Sequence, residues 1–428
     1  MSTHATARAR ALGAEILDLE GEAGEGPGPL SGWAISIKDN IAVSGHPTTA
    51  GCHALAGLML EEGEAVRRVR AAGARITAKT NLHELAFGIT GDNPRYGIVG
   101  NPFAPDHIAG GSSSGGAVFV ALGANRAALV TDTGGSARIP AAFCGVVGFR
   151  PSTGRVPADG VVTLSPSRDT IGIIAGSVAD IAAIDAVMAL DAVSPSLKAA
   201  PRLGVITPES FGLSDYAAAA PAFDEALARL EAAGFTLVSV DAAAAVVADA
   251  AIGLTIAGFE TARSLDALAR SRLGLDLSSL TPMIESPDVQ ALVGHEAGPE
   301  ATPETTWQEA VATGLPALRQ AYAALFADGL DALVCPTVID TAPPRATGAA
   351  AADVAAMIAQ FLRLTTLTRA DSMAGLPSIS LPMGLAGGLP LGLQLIGAAG
   401  QDRALLALAQ RAEAALPPRP HPPEGVSP

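Results

Sequence analysis

Two runs of small residues stand closest to chemistry in this sequence: Gly110-Gly111-Ser112-Ser113-Ser114-Gly115-Gly116 and, beyond an apolar stretch, Thr131-Asp132-Thr133-Gly134-Gly135-Ser136. Glycine has no side chain to obstruct its backbone, so several N–H groups can converge on one point there, the geometry that holds an anion or a developing oxyanion. Serines in the same loops are candidate nucleophiles, and a serine nucleophile needs a base. Histidine is the ordinary base, and the chain has seven: His4, His46, His53, His83, His107, His295 and His421. Gly111-Ser112-Ser113-Ser114-Gly115 also reads as GxSxG, which would make Ser113 the nucleophile of a serine–histidine esterase on an α/β-hydrolase sheet. That fold needs its acid and then its histidine after the serine, which leaves His295 or His421, and neither follows a convincing final strand.

Lysine is the other base. Trp33-Ala34-Ile35-Ser36-Ile37-Lys38-Asp39-Asn40 places Lys38 at the end of an apolar strand. A solvated lysine, with a pKa of about 10.4, is almost wholly protonated at neutral pH, but burial disfavours the ammonium and lowers its pKa by up to several units. Locally, Lys38 therefore reads either as a buried base or as a strand-end lysine that snorkels and pairs with Asp39.

Together these residues resemble the amidase signature hydrolases. The stretch from Gly110 to Pro140 carries the signature without a gap, and Ser136 follows Ser112 by 24 residues, the spacing of the motif. The resemblance extends upstream through Lys38-Asp39-Asn40, Thr49-Ala50-Gly51 and Lys79-Thr80-Asn81-Leu82-His83-Glu84. Downstream it includes Phe143-Cys144-Gly145, Gly148-Phe149-Arg150-Pro151-Ser152, Cys335-Pro336-Thr337, Ala374-Gly375-Leu376-Pro377 and Gly392-Leu393-Gln394-Leu395-Ile396-Gly397. It implies a Ser-Ser-Lys triad with Ser136 as nucleophile, Ser112 as a bridging serine held by a cis peptide and Lys38 as base, Ser113 being the fallback for the bridge. It further implies an oxyanion hole made by the backbone N–H groups of Thr133, Gly134, Gly135 and Ser136, with Asp132 and Arg138 bracing that loop as an ion pair.

The fold so implied is α/β, a large mixed β-sheet sandwiched between α-helices. The activity that the resemblance implies is hydrolysis of a small amide to a carboxylic acid and ammonia or an amine through a seryl acyl-enzyme, chemistry that needs no metal, nucleotide or redox cofactor. Thr131 to Arg138 and Phe149-Arg150-Pro151-Ser152 are similar to mandelamide and indoleacetamide hydrolases, which points to aryl or compact apolar amides. Aryl acylamidases, urethanases, allophanate or biuret hydrolases and the glutaminase A subunit of an aminoacyl-tRNA amidotransferase share the core and stand as alternatives. The family's lysine usually lies further from the N-terminus, so helices that can form dimer contacts look shortened; a homodimer stays open.

Short apolar runs alternating with helical periodicity supply the elements that must position these groups. Strands are expected at Trp33–Ile37, Arg75–Ala78, Ala127–Thr131, Ala332–Cys335, Ile379–Pro382 and Leu391–Ile396. Helices are expected at Glu64–Ala72, Gly115–Gly123, Val178–Ala189, Ala220–Ala233, Trp307–Phe326 and Arg403–Ala415. One domain over residues 1–428 is expected, with a mostly helical variable insert at about 191–307 and a Pro-rich tail after 417 that frays. Ser372 to Gln401 carries no formal charge, but Pro377, Pro382, Pro390 and seven glycines argue for buried strands joined by turns rather than a membrane span.

The 428 residues are 49% apolar and only 16% charged, enough to bury a large core. A net charge of −15 repels phosphate backbones and argues against a nucleic-acid partner, favouring a small-molecule substrate. Cys52, Cys144 and Cys335 form no CxxC pair, which fits a reducing compartment, and Glu15, Asp18, Glu20 and Glu22 interrupt the place of an export signal, so the cytoplasm is expected. His83-Glu84 lacks the second histidine of HExxH, and no metal is expected.

Overall fold

The structure is a computed structural model and describes residues 3–22, 24, 26–189, 198–347 and 353–424. Its eleven described strands are β1 (Glu15–Glu22), β2 (Ala34–Lys38), β3 (Arg75–Thr80), β4 (Ala127–Asp132), β5 (Val147–Arg150), β6 (Thr170–Ala175), β7 (Arg202–Ile206), β8 (Thr236–Val240), β9 (Ala332–Pro336), β10 (Ser378–Ala386) and β11 (Leu389–Ile396). They form one mixed sheet in the order β1-β3-β2-β4-β6-β5-β10-β11-β9-β7-β8. Strands β3, β2 and β4 run parallel, as do β9, β7 and β8, and antiparallel pairs join the two groups.

Every residue of β2, β4, β5, β6 and β9 is buried, the pattern of strands covered on both faces. Alternate residues divide between two apolar cores. Ala127, Leu129, Ile171 and Ile173 join the larger one, while Ala128, Val130 and Ile174 join a second that includes the helix Ser114–Ala121. Because side chains alternate along a strand, these are the two faces of the sheet. Ser36 pairs in register with Ala128, so Lys38, two residues on, belongs to the face covered by that helix.

The uncharged stretch 372–401 holds β10 and β11, an antiparallel pair near the middle of the sheet. The expected strands and helices are present to within a few residues, whereas β1, β5, β6, β7 and β8 carry too short or too mixed a pattern to be read beforehand. Within 191–307, β7 and β8 extend the common sheet by parallel pairing to β9, and the helices Ala220–Ala232, Ala243–Leu273 and Pro287–Ala297 surround them in sequence; residues 191–197 lie outside the described residues. In the Pro-rich tail, Pro420 packs against Gly145 and Arg419 is partly buried beside Gly176, while residues 425–428 lie outside the described residues.

One described helix, Ala243–Leu273, is long and apolar enough to cross a bilayer by length and composition. It packs against the helices Pro287–Ala297, Leu315–Phe326 and Arg369–Ala374. From its inner face Glu260 accepts hydrogen bonds from Ser165 Oγ (2.6 Å), Ser167 Oγ (2.8 Å) and Trp307 Nε1 (3.3 Å).

Candidate active site

The parallel strands β2 and β4 end side by side, and the ends of parallel strands are where open α/β sheets place their sites. Lys38 is the last residue of β2 and is fully buried. Its Nζ is hydrogen-bonded to Ser112 Oγ at 2.8 Å and to Thr131 Oγ1 at 2.8 Å, and Asn40 Nδ2 donates to the same threonine hydroxyl at 3.1 Å. The Gly111–Ser112 peptide is cis. The helix Ser114–Ala121 that carries this loop is buried on every side, and its first glycines serve packing. A Cβ on Gly115 would lie 2.3 Å from Ala14 O and 2.7 Å from Asn81 N, and one on Gly116 would press on Ala128 and Val130 of β4. The Gly115-Gly116 pair of the serine loop thus brings helix and sheet together.

Burial drives the Lys38 ammonium down to a pKa of about 7, against the opposing charges of Asp132 and Asp169. The expected alternative, a snorkelling lysine paired with Asp39, is not what forms. Asp39 Oδ1 pairs with Lys79 Nζ at 2.8 Å, both groups being buried, and Asp39 Oδ2 accepts the Thr49 N–H and hydroxyl. Lys38 is left among hydroxyls.

Ser136 lies in the loop between β4 and the helix Arg138–Cys144, 7% exposed, with its hydroxyl in no hydrogen bond among the described residues. Asp132, the last residue of β4, organises this loop: its carboxylate accepts Gly135 N–H (2.8 Å), Ala137 N–H (3.1 Å), Arg138 Nε (3.0 Å) and Arg138 Nη2 (3.1 Å). Burial alone would raise the Asp132 pKa, but Arg138 and Arg150 hold it far below the usual carboxylate range. Arg138 also reaches Asp371 (2.6 Å), Gln394 (2.8 Å) and Ser372 (2.5 Å), all buried. The bracing pair expected from the sequence is therefore the centre of a larger buried network.

Of the four N–H groups expected at an oxyanion hole, that of Gly135 donates to Asp132 Oδ1 at 2.8 Å, whereas those of Thr133, Gly134 and Ser136 have no partner among the described residues. Sequence reasoning also passed over Thr131, which holds Lys38, and Asp169, whose Oδ1 accepts Thr133 Oγ1 at 2.6 Å and whose Oδ2 accepts the N–H groups of Leu164 and Ser165. Asp169 stands immediately before a buried strand, and nothing in its neighbours marks it. Thr131 and Asp169 face a cavity of about 160 Å³ lined also by Val161, Thr163 and Ile171.

The GxSxG alternative finds no support in the arrangement. Ser113 Oγ donates to the Thr131 carbonyl at 3.3 Å, and no histidine side chain bonds to Ser112, Ser113 or Ser136 among the described residues. His83 gives its backbone N–H to Ser112 O, while its ring meets Thr90 and Asp288. His107 is paired with Asp106 at 2.8 Å.

A sequence model of the Amidase family matches residues 1–406. Mandelamide hydrolase of Pseudomonas putida is 38% identical over 419 residues, covering 92% of this chain and 80% of that protein. Indoleacetamide hydrolase of Pseudomonas savastanoi is 35% identical over 396 residues, covering 91% and 84%. Among solved structures, a crystal structure of an amidase superposes with a TM-score of 0.82 at 33% identity, covering 97% of this chain and 95% of the other. With strand order, strand-end lysine and serine loops already in place, these matches settle the assignment: the chain belongs to the amidase family and is an amidohydrolase that acts on the carbon–nitrogen bonds of amides.

Proposed function

We propose that the chain hydrolyses a compact apolar amide, of aryl type, to a carboxylic acid and ammonia or an amine through an acyl-enzyme on Ser136. The observation that carries this reading is the buried Lys38 Nζ at 2.8 Å from Ser112 Oγ, which links a lysine poised to lose its proton to a serine on the cis peptide. Neutral Lys38 takes a proton from Ser112 as Ser112 takes one from Ser136, whose oxygen attacks the amide carbon. The carbonyl π bond opens, and the oxygen's charge meets the N–H groups of Thr133, Gly134 and Ser136, fixed dipoles that need no reorganisation. The proton then returns through Ser112 to the leaving nitrogen as the C–N bond breaks, and water repeats the sequence on the ester. The two relatives named for aryl-bearing amides support the substrate class. Three free, buried cysteines fit a cytoplasmic setting, and the joining of β7 and β8 to the common sheet supports one domain.

The test is ammonia or amine release by the purified chain from mandelamide, indoleacetamide, aliphatic amides, anilides, carbamates, allophanate and glutamine, with Ser136→Ala as control. Turnover is expected on the aryl amides and is expected to vanish in the variant. Its pH profile follows from the lysine: the neutral fraction rises about tenfold per pH unit below the pKa and saturates above it, so kcat/KM climbs to about pH 7 and then levels. A plateau already complete at pH 5, or full activity in Ser136→Ala, would sink the mechanism; a preference for glutamine or carbamates would replace the substrate class.

A further inference from the structure

We propose that Thr368 is a positioning residue for the reaction: its hydroxyl fixes the Gly134–Gly135 peptide and so keeps the N–H groups of Gly134 and Ser136 turned toward the substrate oxyanion. This inference rests on the reading of Ser136 as nucleophile. A peptide unit is planar, with its C=O and N–H pointing to opposite sides, so tying both ends removes its freedom to rotate. Here both ends are tied. Thr368 Oγ1 donates to Gly134 O at 2.7 Å, and the N–H of the same peptide, on Gly135, donates to Asp132 Oδ1 at 2.8 Å. The N–H groups without partners among the described residues, those of Gly134 and Ser136, belong to the two peptides on either side.

Two consecutive glycines are otherwise the softest backbone available, and an oxyanion hole must be preorganised to be worth its full effect. The two glycines differ in their surroundings as the clamp requires. Gly135 has φ +121°, and a Cβ there would lie 2.5 Å from Thr368 Oγ1 and 2.8 Å from Ile139 Cδ1, whereas one on Gly134 would meet nothing within 4 Å. One side of the loop is thus pressed onto Thr368, and Gly134 borders open space.

Thr368 is itself rigidly held. It is fully buried, its carbonyl accepts Ser372 Oγ at 2.5 Å and Arg138 Nη2 at 3.3 Å, and its N–H donates to Thr365 O at 3.0 Å. Its single hydroxyl hydrogen has one other acceptor in reach, Thr365 O, at the longer distance of 3.3 Å. The hydroxyl therefore carries the Arg138 network's rigidity to the loop from 234 residues away in sequence.

Removing one oxyanion donor outright costs about 10²–10³ in kcat, and loosening the peptide that aims the donors is expected to cost about 10- to 100-fold in Thr368→Val. KM should stay within about twofold, because the clamp acts on the transition state. Thr368→Ser keeps the hydroxyl and should restore kcat to within about threefold of the parent enzyme. A second readout uses phenylacetaldehyde as inhibitor: Ser136 Oγ adds to its carbonyl carbon, the C=O π electrons pass to the oxygen, and the serine proton passes through Ser112 to neutral Lys38 Nζ. This adduct needs the oxyanion hole but no leaving group, so its Ki should weaken in Thr368→Val by the factor lost in kcat, and should recover in Thr368→Ser.

Ser136→Ala is measured alongside on the preferred amide. Activity retained by Ser136→Ala overturns the nucleophile reading and the clamp with it. If Ser136→Ala is inactive but Thr368→Val stays within threefold of the parent in both readouts, or Thr368→Ser is as impaired as Thr368→Val, the clamp alone is overturned. Thr368→Ala, which adds no volume at this buried position, carries the same comparison and criteria if the valine variant does not fold.

Discussion

Replacing Lys38 by methionine is expected to lower kcat by about 10³-fold or more on every amide the enzyme accepts, while making the protein more stable near neutral pH. The activity loss follows from the proposed role: general base catalysis is worth about 10²–10⁴, and a triad member acts as part of a unit, so the remaining serines cannot make up the deficit. The gain in stability follows from proton linkage. The Lys38 pKa lies at about 7 in the folded chain against the ordinary 10.5. Between these values the unfolded chain binds one proton more than the folded one, so wild-type stability rises with pH across that window. Below pH 7 the burial penalty is borne in full, and above about 10.5 it is absent because lysine is neutral in both states.

Methionine carries no such penalty. Its advantage over lysine is therefore greatest at pH 7 and below and shrinks towards pH 10.5, by an amount on the order of 4 kcal/mol. Ser112 and Thr131 lose a partner in the variant at every pH, so the change between the two pH values isolates the lysine. Urea unfolding of both proteins at pH 7 and pH 10, beside kcat for the preferred amide, is the measurement. A stability difference that does not move with pH, or an active Lys38→Met enzyme, excludes a buried neutral lysine as the base.

Arg138→Met is expected to cost about 3–5 kcal/mol of folding stability, the price of leaving buried charges without their partner. Asp132 and Asp371 are both almost wholly buried and both meet the Arg138 guanidinium, at 3.0 Å and 2.6 Å. Arg150 remains beside Asp132 but at 3.3 Å, too loosely to stand in for Arg138 at both carboxylates, while Gln394 and Ser372 are deprived of a donor as well. Ordinary surface ion pairs are worth far less, so the size of the effect separates this network from the exposed Arg67–Glu64 or Arg229–Glu225 pairs. A lowered urea midpoint with unchanged m-value, accompanied by lost turnover because Asp132 no longer holds Gly135 and Ala137 in place, is the expected result. A variant that unfolds at the parental urea concentration would show that the network contributes little.

Asp132 also sets a pH limit. Its pKa is depressed on folding, so its contribution to stability is present above the ordinary carboxylate range and is lost only as pH falls far below it, through the folded value.

Much of the site could be read from the linear sequence because its parts are local motifs. A lysine closing an apolar run, and glycine-rich loops that bracket one helix and one strand, place a base and serines at strand and helix ends without reference to the rest of the chain. The strands found in advance were those whose apolar runs stand between turn residues, such as β2 and β9. Strands β5 and β7 open or close on arginine and carry glycine inside, so their short apolar runs are broken and they are recognisable as strands chiefly through their neighbours in the sheet. Thr131, Asp169 and Thr368, which touch Lys38, Thr133 and Gly134, are ordinary hydroxyls and a carboxylate whose sequence neighbours do not announce them.

The sequence by itself determined the family and the reaction class, since these reside in residue types at fixed spacing, and the same motifs single out the side chains proposed here to carry the chemistry. Tertiary structure decided which of two readings each group takes. Asp39 lies next to Lys38 in the chain, yet it pairs with Lys79, because β2 and β3 run side by side and their ends meet. Gly135 N–H turns into Asp132, the carboxylate at the end of β4 over which its loop folds back. The lysine's proton is governed in the same way: covalent structure sets a pKa near 10.5, and only the packing of a helix and a sheet around it brings that value to about 7. Desolvation and hydrogen-bond partnership depend on distances in space, which arise only once strands far apart in the chain lie edge to edge.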